Sequence, residues 1–449
     1  MTKSRKKKVA VGFVALGCPK NVVDSEKMLA EIVEAGFLIA ADPSQADVVV
    51  VNTCGFIEPA KVESLDAIAQ AVADKRNGRV QKVIVAGCLA QRLGAQLLDE
   101  AEGVDAVVGL GQRDSIVQII RRTLAACEPG VYSDRTFPVP TDDRVRLRIG
   151  PAHSAYLRIS EGCDHRCSFC TIPAIRGPFR SKPPELVLEE ARELISSGAV
   201  ELNLIGQDTT IYGRDLKMAD GLAHLLGEME TIADLAWIRL LYAYPRGITV
   251  SLIDAIARSD KVLHYLDIPI QHASDKILRA MRRPDTSDGL RTMIERLRAA
   301  IPDIVLRTTV IVGFPGETDG DFSDLLEFIR WAQFDALGAF TFFPETGTAA
   351  AGFPDQIADD VKQDRLDTLM LAQQEIAFAK NRARVGQRLR CLIDSVDPQG
   401  IGYGRFYGQA PDIDAICIVT NCMAGPGSYA DVDVVGVRDY DLLVEQICC

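Results

Sequence analysis

No apolar run in the 449 residues approaches the roughly 20 needed to cross a bilayer. A basic start, Met1 to Lys8, is followed by no long apolar region and no small-residue cleavage site, so no signal peptide is expected. Lys3 to Lys8 reads as a solvated tail. There is no basic excess either: the net charge is −12, which argues against broad, nonspecific phosphate binding, since that depends on Lys and Arg releasing counterions. Disorder has no signature in a chain that is 47% hydrophobic and 25% charged, and no internal repeat or low-complexity segment stands out beyond an alternation of strand and helix. These absences leave a globular, cytoplasmic protein of two to three domains with no membrane contact. In that compartment 12 cysteines are expected as metal ligands or reduced thiols rather than disulfides.

The organisation is α/β throughout most of the chain. Residues 8–124 alternate short, continuous apolar strands (9–16, 48–51 and 83–86) with helical stretches. One helix is predicted over 25–35, with Ser25 as N-cap and Gly36 as stop, and another over 60–73. Residues 125–151, with Pro129, Pro138, Pro140 and Pro151, read as an extended linker. Residues 152–381 hold six predicted strands, at 156–160, 202–205, 237–242, 265–268, 305–312 and 336–342, with helical patterns between them. Six βα units fit a partial (β/α)6 TIM-like barrel. After a helix at about 361–382, residues 382–449 change to short strands with glycine-rich turns, at 389–396, 403–406, 415–419 and 430–437, which suggests a small β-barrel.

Chemistry enters with cysteine. Cys163, Cys167 and Cys170 form a C-x3-C-x2-C run in the loop after the first barrel strand, where such barrels carry their active sites, and no fourth cysteine follows nearby. A structural zinc site wants four protein ligands, whereas a cubane iron–sulfur cluster held by three cysteines leaves one iron open to a small molecule. In the N-terminal segment each of the three strands runs into a cysteine: Cys18, Cys54 and Cys88. Parallel strands bring their C-terminal ends to one edge, so cysteines more than thirty residues apart are expected to converge there as a second cluster site. Gly17, Gly55 and Gly87 beside them are expected to let the backbone approach a bulky group. The alternative is that small apolar cysteines simply finish buried strands.

The run Cys163–Cys170, with Phe169 before its last cysteine, resembles the signature of the radical S-adenosylmethionine (SAM) superfamily. With Cys18, Cys54 and Cys88 ahead of the barrel and a small β-barrel behind it, the chain is similar over its length to the methylthiotransferase family. Further matching runs are Cys170 to Gly177, Gln207 to Thr210, Leu266 to Ser274 and Val312 to Thr318. The resemblance implies an N-terminal methylthiotransferase domain at 8–124, a radical SAM core at 152–381 and a TRAM domain at 382–449. It implies one [4Fe–4S] cluster on Cys163, Cys167 and Cys170 that binds SAM. It also implies an auxiliary [4Fe–4S] cluster on Cys18, Cys54 and Cys88 that delivers sulfur from a sulfide or persulfide source. A second SAM would supply the methyl group, and a flavodoxin- or ferredoxin-type protein the electron. No catalytic residue beyond the cluster ligands is assigned, because the hard step is hydrogen-atom abstraction rather than proton transfer.

Asp164 to Arg166, Gln207 to Thr210, Gln271 to Ser274 and Ala410 to Asp414 most resemble the branch that modifies the β-carbon of an aspartate in the twelfth protein of the small ribosomal subunit. The chain departs from that pattern at Lys182, over 421–426 and at Cys448 and Cys449. Residues 382–449 carry six arginines and no lysine against eight aspartates and one glutamate, a balance suited to a basic protein partner and against nucleic acid as direct substrate. Two rivals remain open: a transferase acting on a modified adenosine near the anticodon of tRNA, and a non-enzymatic iron–sulfur carrier or redox-sensing RNA-binding protein. Gly313 to Gly316 could shape a SAM pocket or simply make a tight turn, and His165 and His272 could donate hydrogen bonds in the site. Cys127, Cys391, Cys417 and Cys422 read as buried or incidental thiols.

Overall fold

The structure, a computed structural model, describes residues 8–133 and 136–447. The predicted tail before Lys8 lies outside the described residues, as do Cys448 and Cys449. The chain divides into two compact units: one runs through Ile149 and takes in Glu161–His165 and Cys170–Lys182, and the other comprises Gly150–Ser160, Arg166–Phe169 and the chain from Pro183 onward.

The first unit is built on an all-parallel sheet whose strands lie in the order Leu38–Ile39, Ala10–Ala15, Val48–Thr53, Lys82–Gly87, Ala106–Val108 and Gly130–Tyr132. The continuous apolar runs follow from burial on both faces. Val49 and Val51 pack with Ile68, Val72 and Leu97 on one face, while Val48 and Val50 pack with Met28, Ile32 and Ile119 on the other. Each such valine, taken out of water, stabilises the fold by about 2 kcal/mol.

Two sequence expectations need correction here. The first helix spans Pro19–Glu34, beginning six residues before Ser25, because Pro19 is pre-set for the first helical position, where no N–H is needed. Ser25 is fully buried inside that helix, and its hydroxyl accepts a 2.8 Å hydrogen bond from Asn52 Nδ2 instead of capping. Gly36, at φ +86°, does follow the helix end. The second helix covers Glu58–Arg76. The stretch read as a linker contributes Gly130–Tyr132 to the sheet, paired with Ala106–Val108. Those two short strands have too few residues to show a period.

In the second unit all six predicted barrel strands are present: Ser154–Arg158, Glu201–Ile205, Trp237–Leu240, Val262–Asp267, Val305–Val312 and Ala336–Thr341. They pair in parallel in strict chain order, the topology of a partial (β/α)6 barrel, around a core that includes Leu157, Leu204, Leu240, Leu266 and Val310. Helix Asp359–Arg384 leads to a closed five-stranded barrel of Arg388–Val396, Gly402–Phe406, Cys417–Thr420, Tyr429–Arg438 and Asp441–Gln446. The fifth strand was not foreseen. It closes the barrel by a two-residue hairpin to Tyr429–Arg438 and by a parallel pairing with Cys417–Thr420, the second of which no short-range pattern announces.

Candidate iron–sulfur and SAM site

Three adjacent strands of the first unit end in cysteine. Ala15 pairs with Asn52 and Thr53 with Gly87, so the chain leaves neighbouring strands at nearly the same level and delivers Cys18, Cys54 and Cys88 to one edge. Cys18 is the N-cap residue of helix Pro19–Glu34, in extended backbone. Cys54 is fixed through its backbone, its N–H donating to Ser64 Oγ at 3.0 Å and its carbonyl accepting from the same hydroxyl at 2.8 Å. Cys88 opens helix Cys88–Leu93 and packs with Leu110 and Ile175. All three are free thiols, two half-buried and Cys88 buried.

The glycines beside them do different work from the one expected. A Cβ on Gly17 would lie 2.9 Å from Cys54 Cβ, and one on Gly87, at φ +96°, only 2.4 Å from Asn52 Oδ1 and 2.6 Å from Thr53 O. A Cβ on Gly55 would lie 2.8 Å from Leu89 Cα. The room they free is taken by the neighbouring strand ends, so they let the three cysteine-bearing turns approach one another.

Asn21 and Arg176 organise this edge. Asn21 Nδ2 donates to Leu16 O at 3.1 Å and to Thr53 O at 2.8 Å, tying together the turns that carry Cys18 and Cys54. Its Oδ1 accepts from the Cys88 thiol at 3.5 Å and from Arg176 Nη2 at 2.8 Å. Arg176 Nη2 also donates to Cys88 Sγ at 3.4 Å and Asp24 Oδ2 at 3.2 Å, while Nη1 donates to Glu161 Oε1 and Oε2 at 3.0 and 3.1 Å. Asp24 is paired as well with the buried Arg113. Sequence reasoning did not single out Asn21, Asp24 or Glu161. Arg176 lay inside a flagged run without a role, and only its spacing from Cys170 hinted at one.

The electrostatics of the thiols differ. Burial pushes the Cys18 thiol up, but the charges of Lys20 and Arg176, together with the backbone N–H groups of Asn21 and Lys20, outweigh it and leave the group below its ordinary value. Burial raises Cys54, and raises Cys88 to about 12 against the pull of Arg176. Each of the Cys54 and Cys88 thiols feels the charge of Cys18, and Cys88 that of Cys54, as groups sharing one edge must. Arg176 itself is held well above its usual value: burial opposes its charge, yet Cys88, Glu161 and Asp24 more than compensate.

The second triplet lies on a loop shared by the two units. In the first unit Cys163 N–H donates to Gly177 O at 3.0 Å, Asp164 Oδ1 accepts from Phe179 N–H at 3.0 Å, and Cys163 and Cys170 are half-buried. In the second unit Ser168 is pinned to Met281 O and Ala280 O, and Phe169 meets Phe314 edge-on at 6.5 Å within a cluster that includes Ile277, Met281 and Phe342. Burial raises the Cys167 thiol against the charge of Arg283. Arg283 stacks 4.3 Å over Tyr244 and donates to Pro269 O.

The remaining candidates lie apart from the cysteine edge of the first unit. His272 is fully buried, accepting from Ser274 N–H at Nδ1 with Nε2 3.5 Å from Glu317 Oε2. Phe314 of the Gly313–Gly316 turn is core, stacked edge-on with Phe342. Cys391 and Cys417 are buried in the five-stranded barrel, where the Cys417 thiol donates to Gln409 Oε1, Cys422 is half-buried and Cys127 is exposed.

Among the described residues no three His, Cys, Asp or Glu side chains converge as a single-ion site. A zinc-type site draws its thiolates to about 2.3 Å from one point. A cubane takes each thiolate on a separate iron and needs a wider triangle. Three thiols on neighbouring strand ends, with a buried cation to offset thiolate charge, have the donor chemistry for a cluster.

Comparison with known proteins gives the family and the fold. Residues 157–329 match the radical SAM superfamily, 10–109 the uncharacterized protein family UPF0004, and 385–447 the TRAM domain. The fold is shared with the radical S-adenosylmethionine methyltransferase TsrM from Kitasatospora setae, solved with cobalamin and a [4Fe-4S] cluster, at TM-score 0.55 and 14% identity over 77% of each chain. It is shared too with the cobalamin-dependent S-adenosylmethionine radical enzyme OxsB, at TM-score 0.52 over 82% of this chain and 56% of that one. The class is thus a radical SAM enzyme with an N-terminal α/β domain and a C-terminal TRAM barrel, which implies SAM and a [4Fe–4S] cluster.

The proteins named ribosomal protein uS12 methylthiotransferase RimO are 45% identical in Syntrophomonas wolfei subsp. wolfei, over 97% of this chain and 99% of that one. In Geobacter sulfurreducens the identity is 46%, over 98% and 99%. The chain belongs to the RimO family. No helix among the described residues is long and apolar enough to cross a membrane.

Proposed function

We propose that the chain transfers a methylthio group to ribosomal protein uS12, replacing a hydrogen on the β-carbon of an aspartate. The observation that carries this reading is the convergence of Cys18, Cys54 and Cys88 on one sheet edge, in a radical SAM chain similar to its RimO relatives over nearly its whole length. Cys163, Cys167 and Cys170 would hold a [4Fe–4S] cluster with one iron left for SAM, and Cys18, Cys54 and Cys88 an auxiliary one. When bound, these groups supply one-electron cleavage of SAM and a sulfur atom for insertion.

The chain's own residues do the rest. Phe169, Phe314 and Phe342 form an apolar wall behind the Cys167 turn, which keeps water from the place where a carbon radical must survive. Asn21 and Ser64 hold the turns that present Cys18 and Cys54. With these groups bound, the deoxyadenosyl group of SAM would take a hydrogen atom from the substrate carbon, and a methylthio group would take its place. The methyl comes from a second SAM, the sulfur from a sulfide or persulfide source, and the electron from a flavodoxin- or ferredoxin-type protein. The work is done where ribosomes are assembled, in the cytoplasm.

The test is a separation of functions. The reconstituted chain should carry about eight irons. Cys54→Ala should still form deoxyadenosine from SAM under reductant but insert no sulfur, and normal methylthio transfer by that variant would overturn the role given to the N-terminal triplet.

A further inference from the structure

Arg176 is among the most deeply buried side chains of the molecule, at 1% exposure, and its guanidinium donates to Asn21, Asp24 and Cys88 of the N-terminal edge and to Glu161 just before Cys163. Two carboxylates, Asp24 and Glu161, face it, and Asp24 is already shared with Arg113. Counted as ions, the two carboxylates match the two guanidiniums. A guanidinium placed only to neutralise them has no need to reach a sulfur, yet Nη2 lies 3.4 Å from Cys88 Sγ.

We propose that Arg176 is a positioning residue for the cluster held by Cys18, Cys54 and Cys88: its hydrogen bond to the Cys88 sulfur, braced by Glu161, fixes that ligand and raises the reduction potential of the cluster. The inference rests on the N-terminal cluster assigned above. Hydrogen bonds to ligating sulfur and nearby positive charge both favour the more negative, reduced state of an iron–sulfur centre. Sulfur transfer calls for such a bias. When a carbon radical takes a sulfur from iron, the new C–S bond uses one electron from the radical and one from the broken Fe–S pair. The other electron of that pair stays on the iron, so the centre is reduced by one electron. A buried cation 3.4 Å from one ligand sulfur stabilises that extra charge where water cannot. Position adds to this, since Glu161 stands two residues before Cys163 and Arg176 six after Cys170, so the same ion pair anchors the chain on both sides of the second triplet.

The experiment uses the full chain with Cys163→Ala, Cys167→Ala and Cys170→Ala, reconstituted with iron and sulfide, so that only the N-terminal site can carry a cluster. Iron is counted, and the midpoint potential is read by a redox titration followed by electron paramagnetic resonance. Against this parent, Arg176→Met should lower the reduction equilibrium about tenfold, ~59 mV for a one-electron couple. Arg176→Lys should fall less, and Glu161→Gln, whose amide oxygen keeps an acceptor for Arg176 Nη1, should move the potential the other way because it removes a competing negative charge. Opposite shifts are the signature that a merely structural role would not give.

A parent that binds about four irons and variants whose potentials do not move, or move in the same direction, would overturn the inference while leaving the N-terminal cluster standing. A parent that binds no iron would overturn both. Should Arg176→Met lose its iron, Glu161→Gln decides: a potential at or below the parent's overturns the proposal.

Discussion

Arg405 of the five-stranded barrel grips Glu201, the first residue of the second strand of the parallel sheet, with Nη2 2.8 Å from Oε2 and Nη1 3.1 Å from Oε1. Arg239 adds its Nε to Oε1 at 3.0 Å, and none of the three side chains is more than 3% exposed. Around this clamp, Tyr156 OH donates to Asp412, Tyr265 OH to Asp414, and Arg307 pairs with Asp414. The C-terminal barrel is thereby built into the second unit through buried charge.

Glu201→Gln should therefore be costly, because Arg239 and Arg405 would share one neutral partner. A loss of about 3–5 kcal/mol in denaturant unfolding is expected. Burial opposes the charge of Glu201, but Arg405 and Arg239 outweigh it and hold the carboxyl below its ordinary 4.5. A depressed folded value contributes stability that is present above pH 4.5 and lost as pH falls through that lower value. The variant should show no such acid-side loss.

Glu31 has the opposite sign. Burial, helped by Asp114, raises it from 4.5 to about 7. Its contribution is fully present below pH 4.5 and lost as pH rises through about 7, because the unfolded chain ionises first. Glu31→Gln should raise the thermal midpoint at pH 8, with the gain shrinking toward pH 4.5. Equal gains at both pH values would contradict this.

Gly87→Ala should disrupt the cysteine edge. The position has φ +96° and ψ −157°, and the new methyl would meet Thr53 O at 2.6 Å, a backbone atom that cannot swing away. A destabilisation of about 1–3 kcal/mol is expected from the backbone conformation alone. Iron bound at the N-terminal site should fall with it, read as irons per chain beside the melting curve.

Asn21→Ala removes the clip between the Cys18 and Cys54 turns and the acceptor that faces Cys88 and Arg176. Residues that orient metal ligands typically affect retention by about 10–100-fold. Competition with an iron chelator should show a loss of that size, whereas the Cys163 triplet, measured in a Cys54→Ala background, should be unchanged.

Much of this was legible in the residues. Six barrel strands could be read because each is an apolar run in a regular βα rhythm, and the edge of the first sheet because three runs end in cysteine. Asn21 was not, since a polar residue three positions after Cys18 says nothing of the strand ends it will join. Nor was the pairing of Arg176 with Glu161, which only the fold brings to Cys88. Charge counting over residues 382–449 also treated Asp394 and Asp414 as open surface, whereas Arg405 and Arg307 hold them.

The central claim is that this chain writes a methylthio group on uS12. An anaerobic assay of the reconstituted enzyme with SAM and a low-potential reductant, offered uS12 and tRNA in parallel and read by mass spectrometry, tests it directly. One methylthio group on an aspartate of uS12, deoxyadenosine as coproduct, and unmodified tRNA are expected. Methylthio-adenosine in tRNA with uS12 untouched, or no deoxyadenosine at all, would contradict it.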